Sequence, residues 1–314
     1  QEAEEKNLLE RQQLAQLSED LRAPMDEISE VMYICDLETH ELLFLNGKGR
    51  EAFGITDLKG QKCYRALQGK DSPCDFCTTP KLVPGENYTW EFTNPITQRH
   101  YLLKDRLLEW EGRPARIEIA FDITEAEAEK QALKNTLDAE QMIMECVRML
   151  YQEHDLDRSV PQVLEHLGSF LSADRAYLFM KRQGLFYNDY EWCRAGITPQ
   201  KEVLQAVSPS IVSRWLPIFA QQECVIQEDV EKLSGSDPEE YELLHAQGIQ
   251  SLVAAPLNQD GQLLGLLGVD NPPPERIRSI ASLLQTLCYF LMLAYRRTAS
   301  EQQLSLLSYH DTLT

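Results

Sequence analysis

Residues 248–272, GIQSLVAAPLNQDGQLLGLLGVDNP, decide the fold of the C-terminal half. Two apolar runs, Ser251–Leu257 and Leu263–Val269, flank Asn258-Gln259-Asp260-Gly261. Short apolar strands around a polar, glycine-bearing turn read as a β-hairpin. Asn271 and the three prolines after it end the sheet, because proline offers no donor to a ladder. The apolar spacing beyond predicts one long helix over 275–309. Upstream, Val160–Phe170 has the pattern of an amphipathic helix. Arg175–Lys181 and Phe186–Cys193 read as strands turned by Gly184, and Ile211–Ala220 as a helix. The acidic stretch Glu223–Glu242 reads as a solvated loop. The sum is a mixed layer of antiparallel strands closed by helices at both ends.

The N-terminal half carries a similar signal. Val31–Cys35 and Leu42–Leu45 are joined by the polar turn Asp36–Glu41, and Asn46-Gly47 breaks the second strand. Gly49–Gly69 reads as short helices. Three strands follow Pro84-Gly85: Tyr88–Thr93, His100–Trp110 and Pro114–Ile123. Two strands, several short helices and three strands predict a five-stranded antiparallel sheet with helices grouped on one side. Leu14, Leu17 and Leu21 form a helical seam near the start. Thr124 with Glu127 fits a capping box at the head of another helix. Within that helix Leu133, Leu137, Glu140, Met144, Val147 and Tyr151 step by four and three, a heptad stripe that suits a two-helix seam and a homodimer. The alternative is a single amphipathic helix packed on its own domain.

With 314 residues, the chain is expected to hold two domains. The reading is α+β, with two antiparallel-sheet domains joined by long helices. It assigns 1–24 to an N-terminal helix, 25–126 to the first domain, 127–156 to a coiled-coil linker, 157–296 to the second domain and 297–314 to an exit helix. The net charge of −20 disfavours nucleic acid and anionic membrane surfaces as partners. Residues 1–30, 122–158 and 223–242 carry 19 of those excess negative charges, leaving the rest of the chain near neutral. No stretch reaches the roughly 18–20 consecutive apolar residues of a membrane span, and Leu283–Tyr295 reads as a buried helix. Eight cysteines are too sparse for a disulfide scaffold, so a reducing cytoplasm is expected. The chain opens on Gln1 with no signal-peptide pattern and reads as a piece of a longer protein. There is no phosphate-binding loop or dinucleotide fingerprint. His154, His166, His245 and His310 stand apart from any nucleophile pattern, so no catalytic residue and no independent enzyme is expected within 1–314.

Residues 30–126 resemble a PAS domain, through the strand–helices–three-strands order, YICDLETHELLFLN in the opening hairpin and DIT at the exit. Residues 155–296 resemble a GAF domain, through SADRAYLF, YEWCRAGI and residues 248–272. The closing LSLLSYHDTLT is similar to the lead-in of a GGDEF domain, where Asp311, Leu313 and Thr314 match the start of Asp-x-Leu-Thr-Gly-Leu. Together these resemblances imply the sensory half of a bacterial diguanylate cyclase, which joins two GTP molecules into cyclic di-GMP across a dimer. The GTP-binding loop itself is absent from 1–314. The junction Asp122, Thr124 and Glu127 would pass a signal from the first sheet to the heptad helix. Rival readings are the sensor of another output, such as a histidine kinase, and a dimerisation scaffold that senses nothing.

Both resembled folds wrap a cavity, so each is a candidate pocket for an unknown small molecule. In the first, Tyr33, Phe44, Phe53, Tyr64, Trp90, Phe92 and Tyr101 are candidate lining residues, or fill the core. In the second, Tyr190, Trp192, Cys193 and Asp270 are candidates, with Glu191 on the same strand and Arg194 as a further polar contact. No haem ligand stands out, since His40 falls in a turn and His100 opens a strand. The reactive-cysteine helix of flavin light sensors is missing, and Cys193 lacks the following histidine that marks a bilin site. The sharpest constellation is Cys63, Cys74 and Cys77 in KCYRALQGKDSPCDFCTTP, with Cys35 or His100 as a fourth member. Three readings stand: structural thiols, ligands of zinc or an iron–sulfur cluster, and a redox pair.

Overall fold

A computed structural model describes residues 16, 19, 20, 22–153 and 155–311, the side chains of 302 and 304–311 excepted. Leu14, Leu17, Leu21, His154, Leu313 and Thr314 lie outside the described residues. The chain divides into two compact units, 1–133 and 134–314.

The first unit runs β1 (Val31–Asp36), β2 (Leu42–Leu45), α1 (Gly47–Phe53), α2 (Cys63–Ala66), a 3-10 turn (Thr79–Lys81), β3 (Tyr88–Thr93), β4 (His100–Trp110) and β5 (Arg113–Asp122). Its sheet has the order β2-β1-β5-β4-β3, antiparallel throughout. Asn46 does more than break a strand. Fully buried, it caps α1 by accepting from the Gly49 N–H at 3.0 Å, accepts from Met32 at 2.9 Å and donates to the Glu30 carbonyl at 2.8 Å. One amide thus satisfies backbone groups from three segments that would otherwise be stranded inside.

The helix α3 spans Thr124–Gln152. Its head is not the expected capping box. The helix begins early enough that the Glu127 N–H is already taken by the Ile123 carbonyl, at 2.9 Å. Asp122 instead accepts from the Thr124 N–H at 3.1 Å and from its hydroxyl at 2.6 Å. The Thr124 hydroxyl oxygen accepts from the His100 N–H at 2.8 Å, tying β4 to the helix, and Glu127 turns to Lys130 at 2.9 Å.

In the second unit follow α4 (Leu156–Leu171), β6 (Arg175–Arg182), β7 (Leu185–Cys193), α5 (Trp215–Ala220), β8 (Val225–Gln227), a 3-10 turn (Val230–Leu233), α6 (Pro238–Ala246), β9 (Leu252–Gln259), β10 (Gln262–Asp270) and α7 (Ile277–Asp311). The sheet order is β7-β6-β10-β9-β8. The turn of the deciding hairpin is tighter than Asn258–Gly261: Gln259 pairs with Gln262, and Asp260 and Gly261 alone make it, both at positive φ. That is the twist a two-residue hairpin requires. The α4 helix, α7 and the second half of α3 cover one sheet face, where Val160, Leu164, Leu178, Leu257, Leu267, Leu284, Leu287 and Leu291 pack without exposure. By length and composition Ile277–Glu301 is apolar enough to cross a membrane, but half of that window is buried in this core.

Two expectations fail here. The helix over 211–220 shortens to α5, because Pro217 tolerates only a first-turn position, where its missing N–H costs nothing. The acidic stretch 223–242 is not merely a solvated loop. It supplies β8, the Val230–Leu233 turn and the start of α6, and buries Glu240 to 1% exposure.

Candidate functional site

On the other sheet face of the second unit lies a cavity of about 60 Å³. Tyr177 and Phe179 come from β6, Phe186, Asn188 and Glu191 from β7, and Leu266 and Asp270 from β10. Trp215 of α5, Leu244 of α6 and the following Gln247 and Ile249 form the opposite wall. Asp270 is the charged floor. Its Oδ1 accepts from the Tyr177 hydroxyl at 2.9 Å and its Oδ2 from Arg175 Nη1 at 3.3 Å. Arg175 is otherwise spent on backbone, donating to the Gln247 carbonyl at 2.8 Å and the Thr198 carbonyl at 3.4 Å. Burial raises the Asp270 carboxyl to about 7, against the Tyr177 hydrogen bond and the Arg175 charge, which lower it. Burial and the neighbouring Asp270 push the Tyr177 hydroxyl upward.

Gly268 makes this geometry possible. It faces Tyr177 across the ladder, and a Cβ there would lie 2.3 Å from the ring. The ring therefore lies against β10 and delivers its hydroxyl to Asp270. Across the cavity Glu191 accepts from the Gln200 N–H at 2.7 Å and the Lys201 N–H at 3.0 Å, which pins the 194–204 loop. Asn188 Oδ1 is buried with no partner. A clasp joins α5 to α6 within the opposite wall: Arg214 donates to both Glu240 oxygens, at 2.6 and 2.7 Å, and Trp215 Nε1 donates to one of them at 2.8 Å.

Of the residues the sequence singled out, Asp270 and Glu191 line the cavity. Tyr190 and Trp192 pack into the helical face instead, and Cys193 is half-buried at the strand end. The cause is a bulge: Phe179 pairs with Asn188 while Leu178 pairs with Tyr190, so Asp189 is skipped and the facing of β7 inverts. Glu191 thereby turns inward. Arg194 pairs with Asp174 near the surface, leaving Arg175 as the buried cation. Arg175 and Tyr177 were overlooked, although a charge of each sign at the ends of two apolar strands was a usable signal.

Residues 155–295 match the GAF domain. That is a sensory, regulatory domain, and the cavity lies wholly within the matched GAF residues. The chain is also similar to the methanogenesis regulatory histidine kinase FilI of Methanothrix harundinacea, 29% identical over 178 residues. That likeness covers 51% of this chain and 18% of the kinase, so the chain spans less than a fifth of that relative.

Among the described residues of the first unit lie two smaller cavities. One, of about 30 Å³, is lined by Tyr33, Tyr64 and Trp90 together with Cys63, Cys74 and Cys77. The other, of about 20 Å³, takes Tyr33, Phe53, Phe92 and Tyr101. Phe44 belongs to neither. A bulge in the β1–β2 pairing between Ile34 and Cys35 turns it to the opposite face, beside Ile34 and Trp110. Arg116 is buried among Asp105, Glu118, Thr78 and Tyr33, donating to the Thr78 hydroxyl at 2.9 Å. Burial, then the Asp105 charge, raises the Glu118 carboxyl. His100 bonds Thr93 at 2.9 Å rather than joining the cysteines. Among the described residues no three Cys, His, Asp or Glu side chains converge as a metal site.

On α3, Leu133, Leu137, Met144 and Tyr151 are exposed and Val147 is half-buried, while Met142, Cys146 and Leu150 face the core. At about 100° per residue the two sets lie on opposed faces. The heptad seam is thus a separate surface from the one that packs on its own domain.

Proposed function

We propose that these residues are the sensory region of a signalling protein and that the GAF cavity binds a small molecule presenting N–H or O–H donors, an amine or N–H heterocycle on an apolar body. The orphaned Asn188 Oδ1 carries this reading. The donors on the wall are already engaged, Tyr177 with Asp270, Trp215 with Glu240 and Gln247 with the Leu243 carbonyl, and Arg175 is consumed internally. The unmet group is therefore an acceptor, and left empty in the interior it costs about 1–3 kcal/mol. The ligand's donor would meet Asn188 or Asp270 while its body packs on Phe179, Phe186 and Trp215. Its presence would alter how the clasped wall of α5 and α6 seats on the sheet. The PAS-like reading of the first unit is supported by its strand–helices–three-strands order.

The output we favour is a diguanylate cyclase, on the strength of LSLLSYHDTLT. Catalysis would belong to the segment that lead-in introduces, with none within 1–314. The similarity to the regulatory histidine kinase of Methanothrix harundinacea supports a histidine kinase as the second reading. In either case the exposed α3 seam would pair two copies and carry the change. Eight unpaired cysteines fit a reducing cytoplasm. Native mass spectrometry of the chain, purified from its own host, tests the pocket. A retained nitrogenous compound lost from Asp270→Asn supports it, whereas an empty cavity that no amine or N–H heterocycle in a metabolite panel stabilises refutes it.

A further inference from the structure

The first unit holds four thiols, Cys74 and Cys77 on one turn and Cys35 and Cys63 together in the core beside Leu42, Leu45 and Leu67. Cys77 donates its N–H to the Cys74 carbonyl at 3.1 Å, closing a turn over Cys74–Cys77. Such a turn brings its end Cα atoms within about 7 Å, near the separation a disulfide needs. Both residues are half-buried at the wall of the 30 Å³ cavity. The second pair lies deeper. Cys35 on β1 is 2% exposed, and Cys63, the first residue of α2, is 8% exposed and lines the same cavity as Cys74 and Cys77. The Cys63 backbone is fixed by its N–H bond to the His40 carbonyl at 2.9 Å.

One buried cation serves all four sulfurs. Arg116 Nη1 lies 3.9 Å from Cys77 Sγ, and its charge also reaches Cys35, Cys63 and Cys74, although burial still pushes the Cys74 thiol upward. A hydrogen bond from Cys63 and then the Arg116 charge bring the Cys35 thiol down to about 7 against its burial, while the same bond and burial drive Cys63 up. Of the two, Cys35 is the readier to give up its proton and Cys63 the one that keeps it.

We propose that the four thiols form a dithiol relay for hydrogen peroxide, in which Cys74 and Cys77 are oxidised first and the disulfide passes inward to Cys35 and Cys63. In the first stage the Cys77 thiolate, the one beside Arg116, attacks peroxide. An S–O bond forms, the O–O bond breaks, and the leaving hydroxide takes a proton to become water. The other thiolate attacks the sulfenic sulfur, and a second water leaves as the S–S bond closes. Two electrons have gone to peroxide. In the second stage the Cys63 proton moves to the Cys35 sulfur, and the Cys63 sulfur opens the outer disulfide to a mixed one. Cys35 passes that proton to the released thiolate and attacks Cys63, which forms the inner disulfide and frees the outer pair for another cycle.

The test uses the 314-residue chain, fully reduced, exposed to graded hydrogen peroxide, acid-quenched, alkylated and mapped by non-reducing peptide mass spectrometry. The relay predicts Cys74–Cys77 at early times and Cys35–Cys63 later. In Cys74→Ser/Cys77→Ser, whose half-buried sites tolerate the change, the inner disulfide forms at least tenfold more slowly. In Cys35→Ala the outer disulfide accumulates. An inner disulfide that forms as fast without Cys74 and Cys77 overturns the relay. So does a chain that stays reduced at peroxide levels that oxidise free glutathione, or one zinc per chain shielding these sulfurs from alkylation.

Discussion

The clasp between Arg214 and Glu240 offers a direct test of how the α5–α6 wall of the GAF cavity is held together. Glu240 is 1% exposed and accepts three hydrogen bonds, two from Arg214 at 2.6 and 2.7 Å and one from Trp215 at 2.8 Å. Arg214→Met keeps the volume of the stem and removes the charge. Glu240 then remains in the interior with the Trp215 N–H alone. Stranding one member of a buried pair costs about 3–5 kcal/mol, whereas replacing both with apolar groups is often neutral. Arg214 keeps a quarter of its side-chain surface, so the lower end, about 3 kcal/mol, is expected. Urea denaturation followed by tryptophan fluorescence reads the loss, with Trp215 a reporter inside the clasp. Arg214→Met/Glu240→Leu is expected to regain most of what Arg214→Met loses. A single variant within about 1 kcal/mol of the parent, or a double variant no better than the single, refutes a clasp that works by compensating buried charge.

Asp270 predicts a pH signature. Its folded carboxyl is raised from 3.8 to about 7, so between those values the folded state holds a proton that the unfolded state releases. Stability is therefore greater at the acid end and falls as pH rises towards 7, by up to about 1.4 kcal/mol per unit from this group. Asp270→Asn should flatten the urea-midpoint slope between pH 5 and 7, and an unchanged slope contradicts the assignment. Leu137, 55% exposed on the heptad face, should weaken self-association when changed to Asp, raising the dimer dissociation constant at least tenfold in sedimentation equilibrium without moving the denaturation midpoint. A Cβ on Gly168 would lie 2.2 Å from the Trp192 ring. Gly168→Ala should therefore cost about 1–3 kcal/mol through overpacking, despite the roughly 1 kcal/mol that alanine gains in a helix; a stabilised variant would show that the Trp192 contact is slack.

Strand and helix positions were legible because period is a local property of sequence. Leu263–Val269 and Val160–Phe170 can bury one face only in the conformation their spacing matches, and β10 and α4 include both stretches. The heptad stripe of α3 was legible for the same reason, and its exposure follows from Met142, Cys146 and Leu150 having claimed the opposite face. Facing within a strand was not legible wherever one extra residue intervenes. Skipping Asp189 sends Glu191 into the cavity and Trp192 out of it, and the bulge beside Cys35 sends Phe44 away from the aromatics it was grouped with. Partnership across distance was hidden too. Arg175 and Asp270 are 95 positions apart, and only the β6–β10 register sets them opposite. Glu240 looked like one more charge in an acidic run until α6 laid it against Arg214. Sequence thus determined the elements, through local periodicity, while tertiary structure alone decided which polar groups lose water together, because desolvation depends on what the rest of the chain places over them.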